Sequence, residues 1–284
     1  MTTRVSKRFT TCLTLTCLAA LIALAALAPV PSDAQLRPVY PLDLSLFDSD
    51  ATVLAGVGAG LLTDQHASLA GTRGTLYELG NFDVAWRGGR VVLGLSGTVR
   101  RVFDDDEVVR EPWAGTQAPS GRLRYDAGDI HVSTTVALTN PAAPGLVALR
   151  FGSRLPTPSD ERGLDRDRTD FYATIGGRQR WGRIALTGES GVSINGTRDE
   201  NWDQLDVWMY SLGIELDAGH IIPSITIVGQ DDLHSREIRG NENLSEVRAG
   251  VRTSGRYWIQ ASAVKGIARF SPGLGLLISA GIRR

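Results

Sequence analysis

The feature that most narrows the fold is alternation with a period of two, repeated in segment after segment. In 205–216 one row reads Trp208, Tyr210, Leu212, Ile214 and Leu216, and the other Val207, Met209, Ser211, Gly213 and Glu215. In 183–194 Ile184, Leu186, Val192 and Ile194 alternate with Arg183, Ala185, Thr187, Glu189 and Ser193. The same split separates Val147, Leu149, Phe151 and Leu155 from Ala148, Arg150, Gly152 and Arg154, and Ile130, Val132, Val136 and Leu138 from His131, Ser133, Thr135 and Ala137. A helix brings residues i and i+4 to one face and would mix these rows, so the segments are strands.

Strands are predicted at 52–62, 75–87, 90–103, 128–139, 146–156, 169–180, 183–194, 204–216, 220–230, 245–254, 256–264 and 272–283. That makes about twelve, and bacterial membrane barrels of one chain have even strand numbers. The connections alternate in length. Gly88-Gly89, Asn140 to Gly145, Trp181-Gly182, Asp217 to Gly219 and Gly255 are short, whereas Asp64 to Gly74, Asp104 to Ala127, Thr157 to Arg168, Asn195 to Asp203 and Asp231 to Leu244 are long. Short turns at one end and long loops at the other suit a barrel inserted from the periplasm. Beyond residue 34 no apolar run reaches the length of a membrane helix.

The expected fold is therefore all-β, a transmembrane antiparallel β-barrel of about twelve strands at 51–284. A signal peptide over 1–34 precedes it. Arg4, Lys7 and Arg8 form a basic start, Leu13 to Ala28 an apolar run, and Ser32-Asp33-Ala34 a small-residue cleavage site after Ala34. Cleavage removes both cysteines, Cys12 and Cys17, and leaves a net charge of -3. Residues 35–50 are expected to be a periplasmic N-terminal segment. Both ends of the mature chain would then lie in the periplasm, and the protein in the bacterial outer membrane.

Aromatic side chains mark the short-turn end. Trp86, Trp181, Tyr257 and Trp258 bracket three of its turns with arginines beside them, as expected of an interface girdle. The inward rows collect Asp83, Arg100, Arg150, Arg154, Arg178, Glu189, Glu215, Glu246, Arg248 and Arg252, and these are the expected pore-lining charges. Glu78 and Arg101 fall on outward rows near the long-loop end, where a charge meets the interface at little cost. Charges inside a barrel must face water or pair, so the rows suit either a water-filled conduit or a closed, interlocked barrel displaying its loops.

The stretch from Leu149 reads Leu-Arg-Phe-Gly-Ser-Arg-Leu-Pro-Thr-Pro-Ser-Asp160, followed by Gly163-Leu-Asp-Arg-Asp-Arg-Thr-Asp170 and a strand starting at Phe171. It resembles the outer-membrane barrels of the MetA-pathway of phenol degradation family, in which a strand ends in Lys-Leu-Pro-Thr-Gly and Ser/Thr-Asp opens the next. Arg stands here for that Lys and Pro158 for that Gly, and the chain ends in Arg283-Arg284 where such barrels end in an aromatic residue. The resemblance implies passage of hydrophobic or aromatic small molecules across the outer membrane, and it transfers no functional residues.

With 30 Lys+Arg against 31 Asp+Glu, the chain is not a nucleic-acid binder acting by bulk charge. The histidines His66, His131, His220 and His234 form no i, i+4 pair, so neither a metal nor a cofactor is expected. Gly56-Val-Gly-Ala-Gly60 lies within a strand and marks close packing, not a phosphate loop. Ser271 and His234 near the long loops would be the residues of a lipid hydrolase, but no motif joins them, and no enzyme is expected. A soluble periplasmic β-sandwich is the other alternative, and it requires the Trp208/Tyr210/Leu212/Ile214 row to pack on a second sheet. The expected partners are outer-membrane lipid and lipopolysaccharide, the barrel-assembly machinery and a small-molecule solute. Loops 104–127 and 157–168 are best placed to restrict the mouth.

Overall fold

The computed structural model describes residues 36–68, 70–109, 122–157, 164, 168–196, 204–233 and 242–284. The leader, its cleavage site and His234 lie outside them, as do residues 110–121, 158–163 and 165–167 of the two loops expected at the mouth. Period-two alternation becomes thirteen strands: β1 (Val53–Ala67), β2 (Thr72–Gly88), β3 (Val91–Val108), β4 (Leu123–Asp126), β5 (Ile130–Ala137), β6 (Gly145–Leu155), β7 (Asp170–Trp181), β8 (Ile184–Gly196), β9 (Gln204–Leu216), β10 (Ile221–Asp232), β11 (Leu244–Thr253), β12 (Tyr257–Gly266) and β13 (Leu274–Arg283). All pairings are antiparallel. Twelve strands close into a ring through the pairings of β1 with β13 and β2 with β3. The remaining strand, β4, continues the line of β5 along the upper part of β3. The twelve predicted strands are all present, and β4 is a thirteenth that the prediction placed in a loop.

Glycines in the left-handed region make the short turns possible. Gly89, Gly182, Gly219 and Gly255 have φ of 64°, 58°, 89° and 111°, a conformation that costs a residue with a Cβ. At the other end, β1 and β2 run on to leave only 68–71 between them, so the connection expected to be long there is short.

The outer surface is apolar. Val57, Ile175, Leu212, Ile225, Ile259 and Ile278 are each at least half exposed on six different strands, with Trp208 and Ile214 exposed on the row of Leu212. No second sheet covers that row, which excludes the β-sandwich. A closed ring with a largely apolar exterior pairs its strands with one another, as a wall against lipid must.

One change of phase alters the predicted register. Gly80 (φ 68°) is an extra residue of β2 against β1, because Gly58 pairs Asn81 while Ala59 pairs Leu79. A Cβ on Gly80 would lie 3.1 Å from Cβ and Cγ2 of Val99, and at this level β3 also places two successive residues, Val99 and Arg100, outward. Beyond this bulge the rows swap faces. Glu78 and Arg101, predicted to face outward, are buried inside, and Arg100, predicted to line the pore, is outside with its guanidinium 4.9 Å from the Tyr125 ring.

Candidate functional site: the barrel interior

Residues 36–50, expected in the periplasm, run inside the barrel from the long-loop end to the short-turn end. Leu36 packs with Leu62, Ala67, Leu76, Phe103, Leu164 and Val264 at the long-loop end. Val39 clusters midway with Tyr172 and Met209. Leu44, Leu46 and Phe47, in and beside a 3-10 turn at Ser45–Asp48, cluster with Leu54, Val92, Ala137, Leu146, Ala148 and Trp258 at the short-turn end. Pro38 and Pro41 suit an extended course. The apolar side chains at both ends of this segment would be stranded in water, and the lumen covers them.

The charged rows of the wall hold this segment. Arg37 donates to Glu246 (Nη2 to Oε2, 2.8 Å) and to Glu78 (Nη1 to Oε2, 3.0 Å), joining β11 and β2 across the lumen. Arg150 donates to the Tyr40 carbonyl at 2.9 Å and pairs with Glu189 at 2.6 Å, while Glu189 accepts the Leu42 N–H at 2.9 Å. Arg248 pairs with Glu246 at 3.0 Å, with its guanidinium 5.5 Å from the Tyr40 ring. Asp48 is held by Arg178 and, at 2.6 Å, by Arg180, and Arg87 donates to the Leu46 carbonyl at 2.6 Å. Above these, Arg154 pairs with Asp129 at 3.3 Å and Asp170 at 2.8 Å, and Arg101 with Asp129 at 3.4 Å.

Of the ten charges predicted on the pore wall, nine point into the barrel, and Arg100 does not. Most of the nine are committed to the segment or to each other. Asp83, Glu215 and Arg252 line open space, with Glu215 and Arg252 at the 4.0 Å limit of an ion pair. Among the aromatics predicted at the interface, Trp86, Trp181 and Tyr257 are exposed on the outer wall. Trp258 is not. Adjacent strand residues face opposite ways, so Tyr257 outside puts Trp258 inside, buried against the segment and over Gly56 and Gly281.

Beside the segment lies a cavity of about 570 Å³ that reaches the short-turn end. Hydroxyls and amides from eight strands, including Ser96, Ser133, Thr187, Ser211, Thr226 and Gln260, share its wall with Asp83, Glu215, Arg252 and Arg283. A separate pocket of about 20 Å³ lies among Arg37, Glu78, Arg101 and Asp129, with Tyr40 and His131 on the walls of both. Sequence reasoning missed Arg37, the residue that ties the segment to both walls. Its signal was an isolated arginine in an otherwise apolar stretch, Leu36 to Leu42.

Among the described residues no group of three or more His, Cys, Asp or Glu is placed to hold a metal. Ser271 Oγ accepts the Ser245 N–H, and His66 Nε2 accepts from Arg73.

No protein-family model and no curated protein matches the chain. Similar folds occur among solved structures. The COG4313 outer membrane channel of Pseudomonas putida F1 aligns over 91% of this chain and 100% of its own, with a TM-score of 0.54 and 10% identity. Outer membrane phospholipase A of Escherichia coli aligns over 84% of this chain and 95% of its own (TM-score 0.45, 11% identity). The Pseudomonas putida toluene transporter TodX aligns over 89% and 95% (TM-score 0.39, 8% identity). The chain thus has the fold of an outer-membrane β-barrel.

Proposed function

We propose that this protein is an exported barrel of the bacterial outer membrane, surrounded by its lipid and lipopolysaccharide, through which small solutes pass passively. The observation that carries the reading is the cavity of about 570 Å³, with hydroxyls, amides and charges on its wall, inside a ring whose outside is apolar. A purely structural barrel has no use for that space, and a filled core would be more stable. Segment 36–50 is the stopper. It is tied at its Arg37 end by ion pairs to two walls, and passage requires that end to shift. The leader over 1–34 supplies export, the assembly machinery insertion, and Trp86, Trp181 and Tyr257 the contact with the periplasmic interface.

Membership of the MetA-pathway family, and with it the passage of hydrophobic or aromatic molecules, is the narrower form of this proposal. What supports it is the resemblance carried by the stretch from Leu149 to Asp170. Liposome swelling with solutes of graded size and polarity tests the proposal. Swelling that falls with solute size supports a conduit, and liposomes carrying inserted protein that stay impermeable to every solute refute it.

A further inference from the structure

Most charges facing the cavity are matched. Asp48 answers Arg178 and Arg180, Glu189 answers Arg150, Glu246 answers Arg248, and Glu215 answers Arg252. Asp43 of the segment, which accepts the Ser45 N–H, and one patch of wall are left over. Asp83 has neither a hydrogen bond nor an ion pair among the described residues, and its side chain is open to the cavity. Arg283 Nε and Nη2 are buried without a hydrogen-bond partner, and so is the indole Nε1–H of Trp258, a residue only 8% exposed. All three residues line the same cavity.

The register brings them onto one patch of wall. Asp83 pairs Gly56, Gly56 pairs Gly281, and Gly281 pairs Trp258. Arg283 pairs Leu54, one inward position along β1 from Gly56. Asp83 and Arg283 are thus two strands and two residues apart, roughly 12 Å between Cα atoms. Gly56 and Gly281 leave the room between them that the Trp258 ring takes, since a Cβ on either would lie within 2.7 Å of it. One acceptor and two sets of donors, each lacking a partner, therefore flank an aromatic edge. A solute with a single charge satisfies only one side of this arrangement.

We propose that this patch binds a small dipolar solute of amino-acid or dipeptide type, its carboxylate on Arg283 and the Trp258 N–H and its ammonium on Asp83. This rests on the reading of the lumen as a conduit, not on its narrower hydrophobic or aromatic form, and names a different class of solute. Buried hydrogen bonds to charged groups are each worth a factor of ten or more in affinity, roughly. The test is calorimetric titration of the full chain in detergent with glycylglycine, N-acetylglycylglycine, which lacks the ammonium, and glycylglycinamide, which lacks the carboxylate. The expected result is that glycylglycine binds at least about tenfold more tightly than either analogue. Asp83→Asn should erase its advantage over the acetylated peptide, and Arg283→Gln its advantage over the amide.

Equal affinity for all three peptides, or no binding of any, overturns the proposal. So do substitutions that weaken all three alike. Heat-modifiable gel migration checks that each variant is folded, and if one is not, the three-peptide comparison on the unaltered protein decides. A barrel that conducts without discriminating among the peptides defeats this site alone. One that discriminates in detergent but passes no solute in liposomes defeats the conduit alone.

Discussion

At Arg154 the guanidinium lies between Asp129 and Asp170 and is 1% exposed. Alternation along β6 correctly turns this residue inward, but an inward position is not the same as a place on an aqueous wall. Arg154→Glu would set a third carboxylate beside two and remove a cation that both share, so it should cost about 3–5 kcal/mol of stability. The expected readout is a lost heat-modifiable band. A folded Arg154→Glu barrel with merely altered ion selectivity would show that this side chain faces water. On the row of Leu212, arginine at the outward position should cost about 2–4 kcal/mol, whereas Ser211→Arg next to it points into the cavity and should be tolerated. Refolding yield into lipid vesicles compares the two, and equal yields would contradict the register.

The strands themselves were legible because a lipid-facing row and a lumen-facing row leave a two-residue period that no other element imitates. Loop chemistry was legible where Gly89, Gly182, Gly219 and Gly255 mark tight turns. Two things were not. Strand β4 is four residues long, too short to show a period, and it sits within a stretch that reads as loop. The bulge at Gly80 keeps the strand continuous while inverting its faces, so a strictly alternating count misplaces Glu78, Arg100 and Arg101 together. Two inward-facing charges on what was counted as an outward row, Glu78 and Arg101, were the available sign of it. Gly80→Ala should therefore destabilise more than Gly89→Ala. Both residues have positive φ, but a Cβ at Gly80 meets Val99 whereas at Gly89 it meets nothing within 4 Å. The left-handed backbone alone costs about 1–2 kcal/mol, and the contact with Val99 adds to that at Gly80. Urea midpoints of the two variants measure the difference, and equal midpoints would remove the contact with Val99 from the account.

For the whole molecule, the decisive element is the one that is neither strand nor loop. Segment 36–50 shows no periodicity that predicts its place, and its partners are spread over β2, β6, β7, β8 and β11, so only the closed ring brings them together. Its presence explains why so many inward charges are paired: they hold a stopper, and the open cavity is what remains beside it. In the proposed conduit, the tie at Arg37 is the part that must give way for solutes to reach the long-loop end. Single-channel recording in planar bilayers, comparing the unaltered protein with Arg37→Ala, addresses this most directly. The account predicts stable unitary currents from the unaltered barrel and a larger open fraction from Arg37→Ala. Inserted, heat-modifiable barrels that are silent in both forms, or traces that do not differ between them, would contradict it.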